Sequence, residues 1–275
     1  MQPRTSYLIC ATFFSGGALL SKVLSSTGVA GRPKEYFMAH HNVHATTFQR
    51  QAVHSDSVLP FFYREQGQAH VDSLAHIFEQ GTTANGIFGA NVMWDYFDDF
   101  ICNLRRIPLY KEIPVVDLLP AVFPNLHYIW VTRCNKAQQA VSLWKAVQEW
   151  TWNKERPVRS ASRNLVSERK LVFNFEAIDA LVRRILADEA DWQMYFDICG
   201  ISPITVVYEE LEMEPEAMVR SILHGLHIPI PDSLAFSDCS TKRPVDTLCM
   251  DWVQSYTALK RQQENGVVMN SPNSP

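Results

Sequence analysis

The chain has 275 residues, 47% of them hydrophobic and 11% aromatic, which is enough to bury a sizeable core and excludes the disordered class. Its formal net charge of −4 excludes a surface built to lie on nucleic acid, which needs concentrated Lys and Arg, but leaves room for a small basic pocket. The six cysteines (Cys10, Cys102, Cys134, Cys199, Cys239, Cys249) contain no CxxC and no short paired spacing, and read as reduced thiols of a cytoplasmic protein.

Tyr7 to Ala11 is an apolar run that predicts a buried strand. It is too short for a signal-peptide core, and nothing later reaches the ~18 apolar residues of a membrane span, so no membrane partner is expected. Thr12 to Gly17 follows as a glycine turn, then Ala18 to Ser26 as a helix with Leu19, Leu20, Val23 and Leu24 on one face. Strand, glycine turn and helix in this order point backbone N–H groups at an anion, though a plain connection has the same pattern. Thr27 to Pro33 reads as loop or short strand, and the His-rich stretch from His40 to Leu74 as irregular chain with helical pieces.

Gly86 to Val92 predicts a second strand, and a helix ends near Phe123 before the third, His127 to Thr132. Ala137 to Trp152 is an amphipathic helix with Val141, Trp144 and Val147 inward. Phe175 to Cys199 is a long helix with Arg183, Arg184, Asp188 and Glu189 on a charged side, stopped by Gly200. Ile204 to Tyr208 predicts a fourth strand, with helices at Pro215 to Leu226 and Trp252 to Gln263. Alternating strands and helices predict an α/β fold, a mostly parallel sheet flanked by helices, in a single domain over residues 1–265 with a polar tail at 266–275.

Several runs, taken in order, resemble the bacterial trehalose 2-sulfotransferase family. They are Tyr7 to Cys10 before the Ser15-Gly16-Gly17 turn, Ser26 to Pro33 with Glu35-Tyr36-Phe37, Phe88-Gly89-Ala90 with Met93-Trp94, Trp130 to Arg133, Gln139 to Trp144, Val206 to Glu209, and Trp252-Val253. The resemblance implies the P-loop-like sulfotransferase fold, pairing as a homodimer, and transfer of a sulfuryl group from the nucleotide PAPS to a hydroxyl of a sugar or other small molecule. Such chemistry rests on positive charge and N–H donors around the donor, with a base to take the hydroxyl proton. By the same resemblance Glu35 is the base, and Ser15, Gly16, Gly17, Arg133, Ser142 and Arg243 hold the donor.

This chain departs from the family pattern around the donor. Phe14 stands where the family has a basic residue, Ala18 where a hydroxyl is usual, Asn91 where there is Lys, and Cys134 where a second basic residue follows Arg133. A donor site so altered is expected to be impaired, since each charge-assisted bond is worth ~1.5–3 kcal/mol. Phe14 and Cys134 then become candidate substrate contacts, with Tyr36, His40, Trp94 and Asp95. Aromatic faces beside the carboxylates Asp95, Asp98 and Asp99 suit a sugar or an amine, and Asp at a helix start is the plainer alternative. His40 and His44 share helical spacing, but a third ligand such as His54 or Glu35 would be needed. Neither an HExxH motif nor a Cys partner is nearby, so no metal is expected. Cys134 reads as a structural thiol. Three functions stay open: PAPS-dependent sulfation, PAPS-independent base catalysis in the same pocket, and non-catalytic binding of a small molecule.

Overall fold

The computed structural model describes residues 2–38, 74–155, 171–230 and 246–269. The first apolar run forms β1 (Thr5–Ala11), buried along nearly its whole length because strands lie on both sides of it and helices on both faces. β2 (Ile87–Met93) and β3 (Leu126–Thr132) flank it, and β4 (Ile204–Val207) pairs with β3. The order is β2-β1-β3-β4 and every pairing is parallel, with Ile9 opposite Asn91 on one side and Ile129 on the other. All four strands therefore end at one edge. The chain leaves β1 for β2 in one direction and β3 for β4 in the other, so the strand order reverses between β1 and β3.

The helices are α1 (Gly17–Ser26), α2 (Leu74–Gly81), α3 (Phe97–Arg105), α4 (Val115–Val122), α5 (Lys136–Glu155), α6 (Phe175–Cys199), α7 (Tyr208–Met213), α8 (Pro215–Gly225) and α9 (Thr247–Met269). The last runs into the segment read as a tail, and Tyr208 opens α7 where the sequence put it in β4. No helix among the described residues is long and apolar enough to cross a membrane. Beneath β2 and the 36–37 segment, Phe37, Phe78, Phe88, Phe100 and Phe123 pack edge-on and stacked at 4.5–6.2 Å. Truncating one such ring costs about 3–5 kcal/mol. A second cluster joins α5, α6 and α9 through Val141, Val147, Leu181, Ile185 and Trp252, with Trp144 half-buried and donating its indole N–H to the Val172 carbonyl.

α6 begins and ends where the sequence places it. Asn174 caps it by accepting from the Ala177 N–H, and Gly200 closes it at φ 61° while the Ile201 N–H returns to the Phe196 carbonyl. Its charged side is solvated only at Arg183. Asp188 is 3% exposed and Glu189 mostly buried, because the Trp192 indole N–H donates to the Ala11 carbonyl at 2.9 Å and holds this helix against the end of β1. The preceding turn, with Arg184, Asp188 and Glu189, is thereby pressed onto the carboxyl edge of the sheet.

Candidate functional site

The loop between β1 and α1 is anchored carbonyl by carbonyl. Ala11 accepts from Trp192 Nε1, Thr12 from the Ser15 N–H at 3.1 Å, Phe13 from Gln139 Nε2 at 2.7 Å, and Phe14 from an Arg133 guanidinium N–H at 3.4 Å. Gln139, fully buried at the start of α5, also donates to Thr12 Oγ1 at 3.0 Å. The carbonyl and N–H of one peptide point opposite ways, so anchoring the Phe13 carbonyl turns the Phe14 N–H away from Gln139. Phe14 itself sits at φ 60°, a left-handed conformation costing ~1–3 kcal/mol for a bulky residue, with its half-buried ring against the α5/α6/α9 cluster.

Helix α1 then starts at Gly17, after Gly16, which has no side chain to cap it. The first N–H groups of a helix have no intrahelical acceptor and stand at the positive end of its dipole, where an anion is favoured. Asn91, 1% exposed on β2, packs its amide against Gly17: a Cβ placed there would meet Oδ1 at 3.1 Å and Nδ2 at 3.2 Å. Its Oδ1 has no hydrogen-bond partner among the described residues. Ser15 is fully buried and its hydroxyl accepts from the Thr12 N–H, serving the loop itself.

Arg133, 7% exposed, stacks its guanidinium 4.3 Å over the Tyr208 ring, and the edge of that ring abuts Gly16. The next residue, Glu209, reaches the opening of α5. Its carboxylate accepts the Cys134 N–H at 3.0 Å and the Asn135 N–H at 3.1 Å, while Asn135 Oδ1 accepts the Gln138 N–H at 2.9 Å. Burial works to raise the Glu209 pKa, but these N–H bonds and the Arg133 charge outweigh it and hold the carboxyl below its ordinary range. Cys134 is exposed, and the Ser142 hydroxyl donates to the Gln138 carbonyl at 2.8 Å within its own helix.

Glu35 is set beside β2 by the adjoining backbone bond, the Asn91 N–H donating to the Lys34 carbonyl at 2.9 Å. Partial burial raises its pKa. The buried phenol of Tyr96 feels both the Glu35 and Asp95 charges, so these three groups share one neighbourhood. The Tyr36 hydroxyl turns back to the Arg32 carbonyl at 2.7 Å. Trp94 stacks on Phe97 at 5.2 Å and meets Trp192 edge-on at 4.9 Å. Asp95 and Asp188 both face the Arg184 guanidinium, at 3.7 and 2.6 Å. Burial drives both carboxyls up, the proximity of Asp95 adds to the rise at Asp188, and one guanidinium offsets only part of it. Asp98 and Asp99, by contrast, occupy the first turn of α3, the plainer alternative.

The candidates Ser15, Gly16, Gly17, Phe14, Arg133, Cys134, Glu35, Trp94 and Asp95 thus converge on the carboxyl edge; His40 and Arg243, with His44 and His54, lie outside the described residues. Sequence reasoning missed Gln139, Trp192, Arg184, Asp188 and the structural part played by Tyr208 and Glu209. Gln139, Tyr208 and Glu209 fell inside the runs quoted above, which is the only signal they left.

The family described as Stf0 sulphotransferase matches residues 6–259. The trehalose 2-sulfotransferase of Mycolicibacterium smegmatis is 26% identical over 262 residues, covering 92% of this chain and 94% of that protein. The trehalose 2-sulfotransferase of Mycobacterium tuberculosis is 26% identical over 239 residues, covering 80% and 83%. Among solved structures, a sulfotransferase from Alicyclobacillus acidocaldarius superimposes with a TM-score of 0.47 at 15% identity, over 94% of this chain and 96% of its own.

Proposed function

The chain belongs to the Stf0 sulphotransferase family and is a sulfotransferase-like transferase, and on that premise we propose that it transfers a sulfuryl group to a hydroxyl of a small molecule, a sugar or natural product, with Glu35 as general base. The observation that carries the proposal is that Asn91 joins the segment bearing a half-buried carboxylate to an uncapped helix amino end. Glu35 follows Lys34, whose carbonyl accepts the Asn91 N–H, and the buried Asn91 amide packs against Gly17 where α1 opens.

A bound donor supplies the sulfuryl group, its S–O bond to phosphate breaking as one to the acceptor oxygen forms. The residues of this chain do the rest. The N–H groups at the start of α1 receive the anionic end, because the anchored loop carbonyls leave that helix end open. Glu35 accepts the acceptor hydroxyl's proton, and its raised pKa suits it to hold that proton. Trp94, packed on Phe97 and Trp192, offers an apolar face beside the Asp95 carboxyl, a surface suited to a sugar ring. PAPS, if bound, would be held at its anionic end by the N–H groups at the start of α1, beside the Asn91 amide.

The test is sulfate transfer to hydroxylated acceptors by the wild type and Glu35→Gln. The variant should lose about 10²–10⁴-fold in kcat, with nucleotide affinity unchanged. The acid limb of the wild-type profile should lie above the ordinary carboxyl range, since activity appears only as Glu35 ionises. A variant as fast as wild type would remove Glu35 from the role.

A further inference from the structure

Asn91 is 1% exposed, and its main chain is bonded to its neighbours: the N–H donates to the Lys34 carbonyl at 2.9 Å, and the carbonyl accepts from the Tyr96 hydroxyl at 3.5 Å. Its side chain is not so provided. The amide oxygen Oδ1 is buried and has no donor among the described residues. A buried acceptor without a donor is costly, and a position that keeps one calls for a donor from outside the chain.

Both ends of the amide lie against Gly17, the first residue of α1, where a Cβ would meet Oδ1 at 3.1 Å and Nδ2 at 3.2 Å. That helix has no side-chain cap and no acidic residue in its first turn, so its leading N–H groups are open to an oxyanion. A group seated there meets two demands. Its oxygens must accept from the helix N–H groups, and it must also have a proton to give to the amide oxygen. Turned either way, the amide presents one acceptor and one donor. A sulfate carries no proton near neutral pH, whereas a phosphate monoester keeps a P–OH below about pH 6.

We propose that Asn91 makes the opening of α1 a seat for a phosphate monoester that carries a proton, its P–OH donating to the amide oxygen and its other oxygens accepting from the helix N–H groups. The proposal rests on the reading that α1 receives the anionic end of a sulfuryl donor, and it assigns that end to the phosphate. An intact phosphosulfate has no P–OH to give. The phosphate left when the S–O bond breaks gains one by taking a proton from solvent, so Asn91 favours the departed phosphate over the donor. Where the family pattern has Lys, which would hold either anion by charge, this chain has an uncharged amide that tells them apart.

Methyl phosphate and methyl sulfate have one shape and, at about pH 5, one negative charge each, and differ in the P–OH. The full chain is titrated calorimetrically with each at about pH 5 and about pH 8, as wild type and as Asn91→Leu, with folding followed by circular dichroism. The charged groups around the seat are Glu35 beyond Lys34, Tyr96 and Asp95 after β2, and Arg133 over the Tyr208 ring at Gly16. They act on both anions, so methyl sulfate reports their titration. The wild type should bind methyl phosphate about tenfold or more tighter than methyl sulfate at the lower pH, and most of that advantage should vanish at the higher. Charge alone predicts the opposite trend, since methyl phosphate gains a second negative charge. Asn91→Leu should bind the two within about twofold of each other. An advantage that is absent at the lower pH, grows with pH, or survives in Asn91→Leu overturns the role of Asn91 while the reading of α1 stands. Should the variant not fold, the wild-type pH trend decides alone. A folded wild type that binds neither anion overturns both.

Discussion

Gly16→Ala isolates the contact on which the loop geometry depends, provided it is compared with Gly200→Ala. Both glycines have positive φ, +113° and +61°, but a Cβ on Gly200 meets nothing within 4 Å, whereas one on Gly16 would stand 2.7 Å from Cδ2 of the Tyr208 ring. That ring cannot step aside cheaply. It is buried under the Arg133 guanidinium, and its hydroxyl donates to Glu212 Oε1 at 3.0 Å. Gly200→Ala carries left-handed strain of ~1–2 kcal/mol, offset by ~0.5 kcal/mol from a stiffer unfolded chain, so about 1 kcal/mol is expected. Gly16→Ala adds ~1–3 kcal/mol of overpacking to ~1–3 kcal/mol of backbone strain, about 4 kcal/mol together. Within a typical stability of ~5–15 kcal/mol the variant still folds. Urea unfolding of both, with equal m-values, measures the difference. It should also weaken nucleotide binding, because displacing Tyr208 displaces Arg133 from the Phe14 carbonyl. If the two variants are equally stable within ~1 kcal/mol, the argument that Tyr208 is wedged against the loop fails.

Gln139→Met keeps the volume but removes both bonds to Thr12 and Phe13, leaving the Phe13 carbonyl without its donor. The expected loss is about 2–3 kcal/mol, read by the same urea titration, and a loss under ~1 kcal/mol would show that the loop holds itself. Asp188→Asn tests the buried cluster through pH. Its carboxyl, raised by burial, then by Asp95, to about 7 from an ordinary 3.8, binds more protons folded than unfolded. This group therefore makes stability fall as pH rises between those values. The melting temperature of the wild type should drop more steeply from about pH 5 to 8 than that of Asp188→Asn. Parallel slopes would mean that Arg184 neutralises the pair fully.

Elements with a local cause could be read from the chain. The apolar run at Tyr7 to Ala11 can be buried only as an interior parallel strand, and Asn174 and Gly200 bound α6 because a cap and a left-handed glycine act on the nearest turn. The glycine turn before α1 followed from the residues themselves, while Glu35 was singled out by the resemblance alone. What tertiary structure decided was everything joined across the sequence. Trp192 reaches the Ala11 carbonyl across 181 positions, and Gln139 reaches the Phe13 carbonyl across 126. Arg184, Asp188 and Glu189 look like the solvated side of a helix, since charge periodicity records which residues share a face and not what that face meets. The same limit applies to Glu209. As a residue type it is an ordinary surface carboxylate, and only the parallel pairing of β3 with β4, which brings the openings of α5 and α7 side by side, makes it the anion that fills a helix end.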